Sequence, residues 1–291
     1  MTSPVPFDHS IIPFEAPFAP IGLKDNGSAA GSCFADRVFG ELQRAKVIRG
    51  MRNPNGIAYN PYSIQEGLRH LECPYTRTDL FEFDGMFHSW SHHGYFSDAD
   101  PEQALSKMET FRKDFRKALR KSSFFMLTLS SAYVYIHTKS NRITSNCHRV
   151  PACEFQRELL SHETCRASIV SALKCVREYA PECKLIVTVS PILHDPGDLR
   201  KNSISKGRLI SAAQDALEGF DNACYFPAYE IMNFELRSYR YYTEDLIHPN
   251  DTATKIIFNR FLETCFTPEA AAAYEAFLKQ EKANAHIERK G

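Results

Sequence analysis

The chain has 291 residues, 43% of them hydrophobic and 24% charged, a composition that supports a substantial core and excludes global disorder. Lys and Arg number 35, as do Asp and Glu, so nothing in the charge favours a nucleic-acid partner. No apolar run approaches the ~20 residues needed to cross a bilayer, and the N-terminus lacks the basic and apolar segments of a secretory signal. Nine scattered cysteines without zinc or redox spacing favour reduced thiols and hence a cytoplasmic location.

The N-terminal part predicts a lead-in followed by a strand and a helix. Residues 1–27 are rich in proline and are expected to form an irregular segment. Small residues at 28–31 indicate the end of a first strand. Apolar side chains at helical spacing then predict a helix through Phe34, Val38, Leu42 and Ala45. Residues 47–48 are the candidate second strand, and Asn-Pro-Asn-Gly at 53–56 indicates a turn.

Farther along, strands and helices alternate. Residues 72–100, rich in aromatic residues and histidine, interrupt this rhythm and predict an inserted hairpin or long loop. The runs at 124–136 and 184–189 predict strands, with a polar hairpin-like stretch at 137–152 between them. Helices are expected at 105–119, 161–179, 202–217 and 257–265, a short strand at 223–226, and an appended helical tail within 266–291.

This order predicts an α/β fold in which helices cover both faces of a central, mostly parallel sheet. The predicted strands are apolar throughout, which is typical of strands buried on both faces. We expect one domain over 28–265, with five strands that end near Ala30, Ile48, Leu129, Val189 and Phe226. Active sites in such folds lie beyond the carboxyl ends of the strands, and the candidate catalytic residues fall in those loops.

Ser32 is the first candidate for catalysis because it lies where the first strand turns into a helix. The preceding Gly31 permits a tight turn, and a helix N-terminus would stabilise negative charge that develops nearby. Taken alone, such a serine is more often a helix N-cap. Cys33 is a rival nucleophile, ranked below Ser32 because a cysteine before an aromatic residue is more often buried.

Asp245 and His248 supply the other two groups that a serine hydrolase needs. Their spacing lets one loop present both side chains, with the carboxylate on the ring nitrogen that faces away from the serine. Pro249 and Asn250 indicate that a helix begins directly afterwards and anchors the loop. The alternative is an aspartate and a histidine that only make surface turn contacts.

Other loops offer donors for an oxyanion. Gly56 has a turn amide, Ser131 a hydroxyl or an amide, and Asn146 a side-chain NH2 group. Each residue type is also a common turn former. We favour Asn146 over Ser131, because its amide is a fixed donor whereas a hydroxyl rotates.

The histidines at 88, 92 and 93 suggest a metal site. No pattern of companion carboxylates accompanies them, and the adjacent His92 and His93 would face opposite ways in an extended segment. We therefore expect no metal and no cofactor, and assign these side chains to the rim or lining of a substrate site.

Five blocks of the sequence resemble one known family. Gly31-Ser32-Cys33-Phe34-Ala35 spells the signature of the GSCFA family, and the segments at 53–61, 145–151, 188–194 and 244–249 resemble its later blocks. The resemblance runs over about 28–265. Because the family is placed with the SGNH/GDSL-type hydrolases, the resemblance implies a three-layer α/β/α sandwich with a flavodoxin-like sheet.

The resemblance also implies roles for residues of this chain. Ser32 would be the nucleophile, His248 the base and Asp245 the acid that orients it. Gly56 would be the block glycine of the oxyanion hole. The block asparagine has no clear counterpart, so Asn146 or Ser131 would complete the hole. The segment at 81–96 would shape the substrate site, together with lining residues His194, His93, His148 and Ser190.

The expected activity is hydrolysis of a short acyl ester, with acetyl favoured, of a carbohydrate or similar polar alcohol. The reaction would pass through an acyl-enzyme. A polysaccharide O-acyltransferase would use the same triad, and a non-catalytic glycan-binding module would retain the pocket. The expected partner is thus a small-molecule or carbohydrate ester. The acyl chain, the alcohol and the oligomeric state stay open.

Overall fold

The computed structural model describes residues 11–195 and 197–288. Its strands are β1 (Asn26–Gly31), β2 (Arg49–Arg52), β3 (Phe81–Phe83), β4 (Met86–His88), β5 (Phe124–Leu129), β6 (Tyr133–His137), β7 (Arg142–Thr144), β8 (Phe155–Leu159), β9 (Lys184–Val189) and β10 (Ala223–Phe226). Its helices are α1 (Cys33–Arg44), α2 (Pro61–Arg69), α3 (Pro101–Leu119), α4 (His162–Tyr179), α5 (Leu199–Leu217), the single turn α6 (Ala228–Glu230), α7 (Asp251–Cys265) and α8 (Pro268–Glu288).

The centre of the molecule is a five-stranded sheet in which all neighbouring strands are parallel. The strand order is β2-β1-β5-β9-β10, the order of flavodoxin-like folds. The predicted parallel sheet is therefore confirmed. Because the chain moves to one side from β1 to β2 and to the other from β5 onward, the connections diverge between β1 and β5. They leave a crevice at the carboxyl ends of these strands.

Helices cover both faces of this sheet and make three layers, as predicted. Helices α2 to α5 pack on one face, where the buried apolar side chains include Leu68, Phe115, Ile169 and Leu209. Helices α1, α7 and α8 pack on the other face, with Phe39, Ile257, Phe261 and Tyr274 among the buried residues. Burial of side chains of this size stabilises a fold by roughly 1.5–3 kcal/mol each, so the two cores hold the sheet rigidly beneath the loops.

The second strand lies a few residues later than predicted. Val47 and Ile48 are buried core residues that precede it, and the amide of Val47 donates to the Leu42 carbonyl at the end of α1. Strand β2 is the polar segment Arg49–Arg52. It pairs with β1 alone and forms an edge of the sheet, where polar side chains are tolerated.

Two small antiparallel sheets are added to the core. The 72–100 segment contains the predicted hairpin, made by β3 and β4. The apolar run at 124–136 is divided by a break at 130–132, so that β6 leaves the central sheet and pairs with β7 and β8. This second sheet rises from the carboxyl end of β5 and forms one wall of the crevice.

Both ends of the described chain pack on the domain. In the lead-in, Phe18 and Ile21 are buried, and the Ile21 amide donates to the Cys265 carbonyl over 2.8 Å. In the tail, Ala270 and Tyr274 are buried against the core, so the helix expected to be appended contributes to it. Within residues 11–195 and 197–288, no helix combines the length and apolar character needed to cross a bilayer.

Candidate active site

A cleft of about 490 Å³ lies beyond the carboxyl ends of the central strands. Loops after β1, β2, β5 and β9 reach it, as does the loop before α7, and β6 forms a side wall. Its lining residues include Cys33, Asn60, Ser131, Asn146, His194 and His248. Its volume is that of an ordinary small-molecule site, in the position expected for this fold.

Asp245 and His248 form a hydrogen-bonded pair at the mouth of this cleft. His248 Nδ1 donates to Asp245 Oδ2 over 2.7 Å. Within the described residues His248 Nε2 has no hydrogen-bond partner, and 49% of the side chain is exposed. A carboxylate on Nδ1 fixes the proton there and leaves the lone pair on Nε2, so His248 is set to act as a base.

The loop around the pair holds the carboxylate in place. Asp245 Oδ1 accepts from the Thr243 hydroxyl over 2.5 Å and from the amides of Ile247 and His248 over 2.8 and 3.1 Å. The Thr243 hydroxyl, the loop amides and the His248 ring hold the pKa of Asp245 far below its usual range. Asn250 then caps α7, which confirms the predicted helix start. The carboxylate therefore stays ionised while it orients the ring.

Ser32 is buried beneath the cleft and caps a helix. Its Oγ accepts from the Phe34 amide over 3.3 Å at the N-terminus of α1, and its own amide donates to the Thr128 carbonyl over 3.1 Å. Among the described residues Ser32 Oγ has no hydrogen bond to His248. The extended N-cap backbone turns the hydroxyl back over the first helical turn. It also commits the amide of Ser32 to the sheet, so that amide is no oxyanion donor.

Cys33, one residue later, lines the cleft. Burial raises the pKa of its thiol, while the backbone N–H groups of Cys33 and Phe34 and the ammonium of Lys206 act in the opposite direction. The side chain is partly exposed and lies at the first position of α1. A thiol in this position faces both the cleft and the positive end of the helix dipole.

Lys206 is a functional candidate that sequence reasoning missed. It lies on α5, fully buried behind the cleft, and its Nζ donates to the Ser190 carbonyl over 2.8 Å. Burial lowers the pKa of Lys206 to about 7. A lysine in a helix is normally exposed to solvent, so nothing in this single sequence predicts that Lys206 is buried. Its position places a cation within electrostatic reach of Cys33.

The oxyanion candidates divide between two places. Gly56 lies against His93 in a separate cavity of about 390 Å³ on the far side of the 53–59 loop. Its amide donates to the Asn53 carbonyl over 2.9 Å, so Gly56 does not face the cleft. Its φ of +85° and the approach of His93, 2.3 Å from where a Cβ would stand, explain the glycine structurally.

Ser131 and Asn146 do line the cleft. Ser131 Oγ accepts from the Tyr133 amide over 3.0 Å, and the Ser131 amide donates to the Tyr59 carbonyl over 3.0 Å. Asn146 Oδ1 accepts from the His148 amide over 2.8 Å, which turns its NH2 group outward. Either side chain therefore keeps a donor for a bound group.

Asn60 is a second side-chain amide in the cleft, and it lies at the start of α2. Its Oδ1 caps α2 by accepting from the Ser63 amide over 2.8 Å. Its Nδ2 has no partner among the described residues, although the residue is only 5% exposed. A buried amide with its NH2 group unpaired at a cleft wall is a preorganised donor. The turn sequence before α2 gave no sign of this second role.

Only one of the four expected lining residues, His194, lines this cleft. His194 Nε2 lies 2.6 Å from Ser130 Oγ, and burial lowers the pKa of the ring to about 4. His93 lies in the Gly56 cavity. His148 packs among aromatic rings and donates from Nε2 to the Ser89 carbonyl over 2.8 Å. Ser190 is fully buried.

The 81–96 segment does not form a wall of the cleft either. Its aromatic side chains pack on each other, as in the stack of Phe81 on Trp90 at 3.6 Å between ring centroids. The side wall comes instead from β6 and the 144–147 loop. Across the described part of the chain, no group of three His, Cys, Asp or Glu side chains could hold a metal ion.

Comparison with known proteins gives one strong match and several weak ones. Residues 28–261 match the GSCFA family. Among curated proteins no sequence matches significantly. Similar solved structures include a protein described as a GDSL-like lipase from Parabacteroides merdae, with 13% identity and a TM-score of 0.44. That match covers 88% of this chain and 100% of the other.

Two esterases give comparable values. An acetyl-xylooligosaccharide esterase from Geobacillus shares 11% identity over 85% of this chain and 96% of its own, with a TM-score of 0.41. A carbohydrate esterase of family 3 from Talaromyces cellulolyticus shares 10% over 82% and 94%, with a TM-score of 0.37. Similarities of this size carry no conclusion about activity. The sequence match over most of the chain does define the family: the chain belongs to the GSCFA family.

Proposed function

We propose that the cleft hydrolyses a short acyl ester, with acetyl favoured, of a carbohydrate or similar polar alcohol. The observation that carries the proposal is the Asp245–His248 pair: His248 lines a cleft that also holds a nucleophilic side chain, and its Nε2 has no hydrogen-bond partner in the described part of the chain. A histidine that is exposed, oriented by an ionised carboxylate and adjacent to a pocket is the arrangement of a general base.

The proposed reaction passes through an acyl-enzyme. His248 Nε2 takes the proton of a nucleophile at the start of α1, and the nucleophile attacks the ester carbonyl. His248 then gives the proton to the departing alcohol, and repeats the cycle with water to release the acid. Asp245 keeps the ring in one tautomer and stabilises the imidazolium that forms transiently. No step requires a cofactor.

The nucleophile belongs to the first block of the sequence. Ser32 is the residue that the family resemblance implies, with Cys33 beside it. For Ser32 to attack, its hydroxyl must leave the Phe34 amide and turn into the cleft. Such a movement removes an N-cap worth about 1 kcal/mol, so it is costly and not prohibitive.

The cleft walls support a polar alcohol as the leaving group. Tyr59 and Tyr135 present half-exposed rings, and aromatic faces of this kind stack on the apolar faces of sugar rings. Asn146 and Arg157 offer hydrogen-bond donors to hydroxyl groups nearby. Ile192 adds an apolar side chain to the lining, against which a short acyl chain would pack.

The exposure of His248 favours hydrolysis over transfer. A transferase must keep water from its acyl-enzyme, whereas here the base is half-exposed at the cleft mouth. The O-acyltransferase therefore stands as the second candidate. The two differ in one product: free acid in the first case, and an acylated acceptor alcohol in the second.

The test is release of acetate from acetylated cellobiose and from 4-nitrophenyl acetate by the purified protein. We expect turnover by the wild type, loss of turnover in His248→Gln, and normal turnover in the matched variant His93→Gln, whose side chain lies in the other cavity. Added cellobiose should not collect the acetyl group. Equal rates in the wild type and His248→Gln would rule out this cleft as the site.

A further inference from the structure

We infer that Cys33, and not Ser32, is the nucleophile of this cleft, and that Asn60 Nδ2 is a donor to the oxyanion. The inference rests on the proposed acyl-enzyme chemistry and names the groups that perform it. The two candidate nucleophiles are adjacent in the sequence, but the strand-to-helix turn sends their side chains in different directions.

Access separates the two residues. Ser32 is fully buried, does not line the cleft, and has its oxygen engaged by the Phe34 amide. Cys33 is partly exposed and lines the same cleft as His248. An ester can therefore approach the sulfur without rearrangement of the protein, whereas it can reach the Ser32 oxygen only after α1 loses its cap.

Three groups around the sulfur oppose the effect of burial, which raises the pKa of the Cys33 thiol. Cys33 is the first residue of the twelve-residue helix α1, so its own N–H group and that of Phe34 lie beside the sulfur. Lys206 adds a buried positive charge from behind. A helix N-terminus and a neighbouring cation are the features that stabilise a thiolate in reactive cysteines.

Asn60 supplies an observation independent of the cysteine. Its side chain is more than nine-tenths buried, its Oδ1 is fixed by the Ser63 amide, and its Nδ2 is unpaired among the described residues and lies at the cleft. Because α2 holds the oxygen of this amide, the NH2 group is fixed in direction and available to a bound acceptor. A carbonyl oxygen bound at this position would supply the missing acceptor, and that oxygen becomes the oxyanion during attack.

The steps balance as follows. His248 Nε2 takes the thiol proton, the sulfur forms a bond to the carbonyl carbon, and the C–O bond to the alcohol breaks as His248 returns the proton to it. Water then gives a proton to His248, and the water oxygen attacks the carbonyl carbon of the thioester. The C–S bond breaks, the acid leaves, and the sulfur recovers its proton from His248.

The experiment traps the acyl-enzyme with 4-nitrophenyl acetate and identifies the acetylated residue by peptide mass spectrometry. We expect one acetyl group on Cys33 that neutral hydroxylamine removes, as it does thioesters. Cys33→Ala should lose the adduct and at least ~10³-fold in kcat/KM. Ser32→Gly should keep both, because glycine is a tolerated N-cap and the variant removes only the hydroxyl. Ser32→Ala serves as a second variant if Ser32→Gly does not fold.

Two results would overturn the inference, and they are distinguishable. An adduct on Ser32 that resists neutral hydroxylamine, with activity lost in Ser32→Gly and kept in Cys33→Ala, would leave the proposed function intact and reject Cys33. A wild-type protein that acquires no acetyl group on either residue and shows no turnover would reject the proposed function together with the inference. For Asn60, an unchanged kcat in Asn60→Ala would exclude it from the oxyanion site.

Discussion

Two groups of histidines occupy different regions of this molecule and do different things. His92 and His148 lie behind the β3–β4 hairpin, buried among aromatic rings, where burial lowers the pKa of His92 to about 3 and that of His148 to about 4. His248 stands half-exposed at the cleft with a carboxylate on one ring nitrogen. His92 and His148 therefore form a neutral, structural cluster, whereas His248 is the candidate base. An oriented and accessible ring, and not a high density of histidines, identifies the functional group.

The largest expected effect comes from exchanging histidine for glutamine in each region. His248→Gln should lower kcat/KM by ~10³–10⁴-fold and leave the thermal midpoint nearly unchanged, because its side chain is half-exposed. His148→Gln should lower the midpoint and leave kcat/KM per folded molecule unchanged. Steady-state kinetics and thermal unfolding of both variants check this pair. A loss of kcat/KM in His148→Gln as large as that in His248→Gln would show that the buried cluster also takes part in the reaction.

The next effect concerns the amides of the cleft. Asn60→Ala should lower kcat by ~10²–10³-fold with little change in KM, because an oxyanion donor acts chiefly in the transition state. Asn146→Ala, at the donor favoured from sequence, and Ser131→Ala, at its alternative, should have smaller effects. Rates on 4-nitrophenyl acetate rank the three. A greater loss of kcat in Asn146→Ala than in Asn60→Ala would show that the side-chain donor is Asn146, in the loop after β7.

A third prediction concerns the pKa of Lys206, which is buried, as His92 and His148 are. The pKa of Lys206 falls from 10.5 to about 7 on folding, so between these values the unfolded chain binds the extra proton. Stability then rises with pH across that window, and the penalty is full below about pH 7. Lys206→Met should remove this slope, which is on the order of 1.4 kcal/mol per pH unit within the window. Urea unfolding at several pH values measures it. Parallel curves for both proteins would show that Lys206 does not titrate there.

The smallest expected effect on activity is that of His92→Phe, which should be none. His92 Nε2 is buried without a partner in the described structure, so an apolar ring of similar shape removes an unsatisfied nitrogen. The depressed pKa means that the stability contribution of neutral His92 is present above pH ~6.5 and lost as the pH falls toward about 3. His92→Phe should therefore resist acid better than the wild type. Acid titration followed by circular dichroism checks this, and earlier acid unfolding would contradict it.

The sequence was sufficient for the arrangement of the sheet and for the contact between Asp245 and His248. Apolar, non-alternating strands separated by helical patterns predict a parallel sheet covered on both faces, and the structure confirms it. The spacing of Asp245 and His248 predicted their contact, which is made. Both are local patterns, within one element or one loop, so a single sequence contains them.

Two kinds of feature could not be predicted from the sequence: the direction in which a side chain points, and burial that depends on contacts between distant segments. Whether Ser32 or Cys33 faces the cleft depends on the residue at which α1 begins, and helix ends are uncertain by one or two residues from sequence. The burial of Lys206 and the orientation of Asn60 arise only when distant segments meet. Gly56 and His93 look like site residues in the chain, yet the 53–59 loop turns them into the other cavity.

We propose that Asp245 acts through His248, so that the two side chains form one catalytic unit. A double-mutant cycle is the most direct test of this coupling. The kcat/KM of Asp245→Asn, His248→Gln and the double variant would be measured on one acetyl ester, with thermal midpoints to confirm that each loop remains folded. We expect strong non-additivity: once His248 is replaced, the loss of the Asp245 carboxylate costs almost nothing further. Losses that multiply in the double variant would mean that the two residues act independently, and would contradict the account.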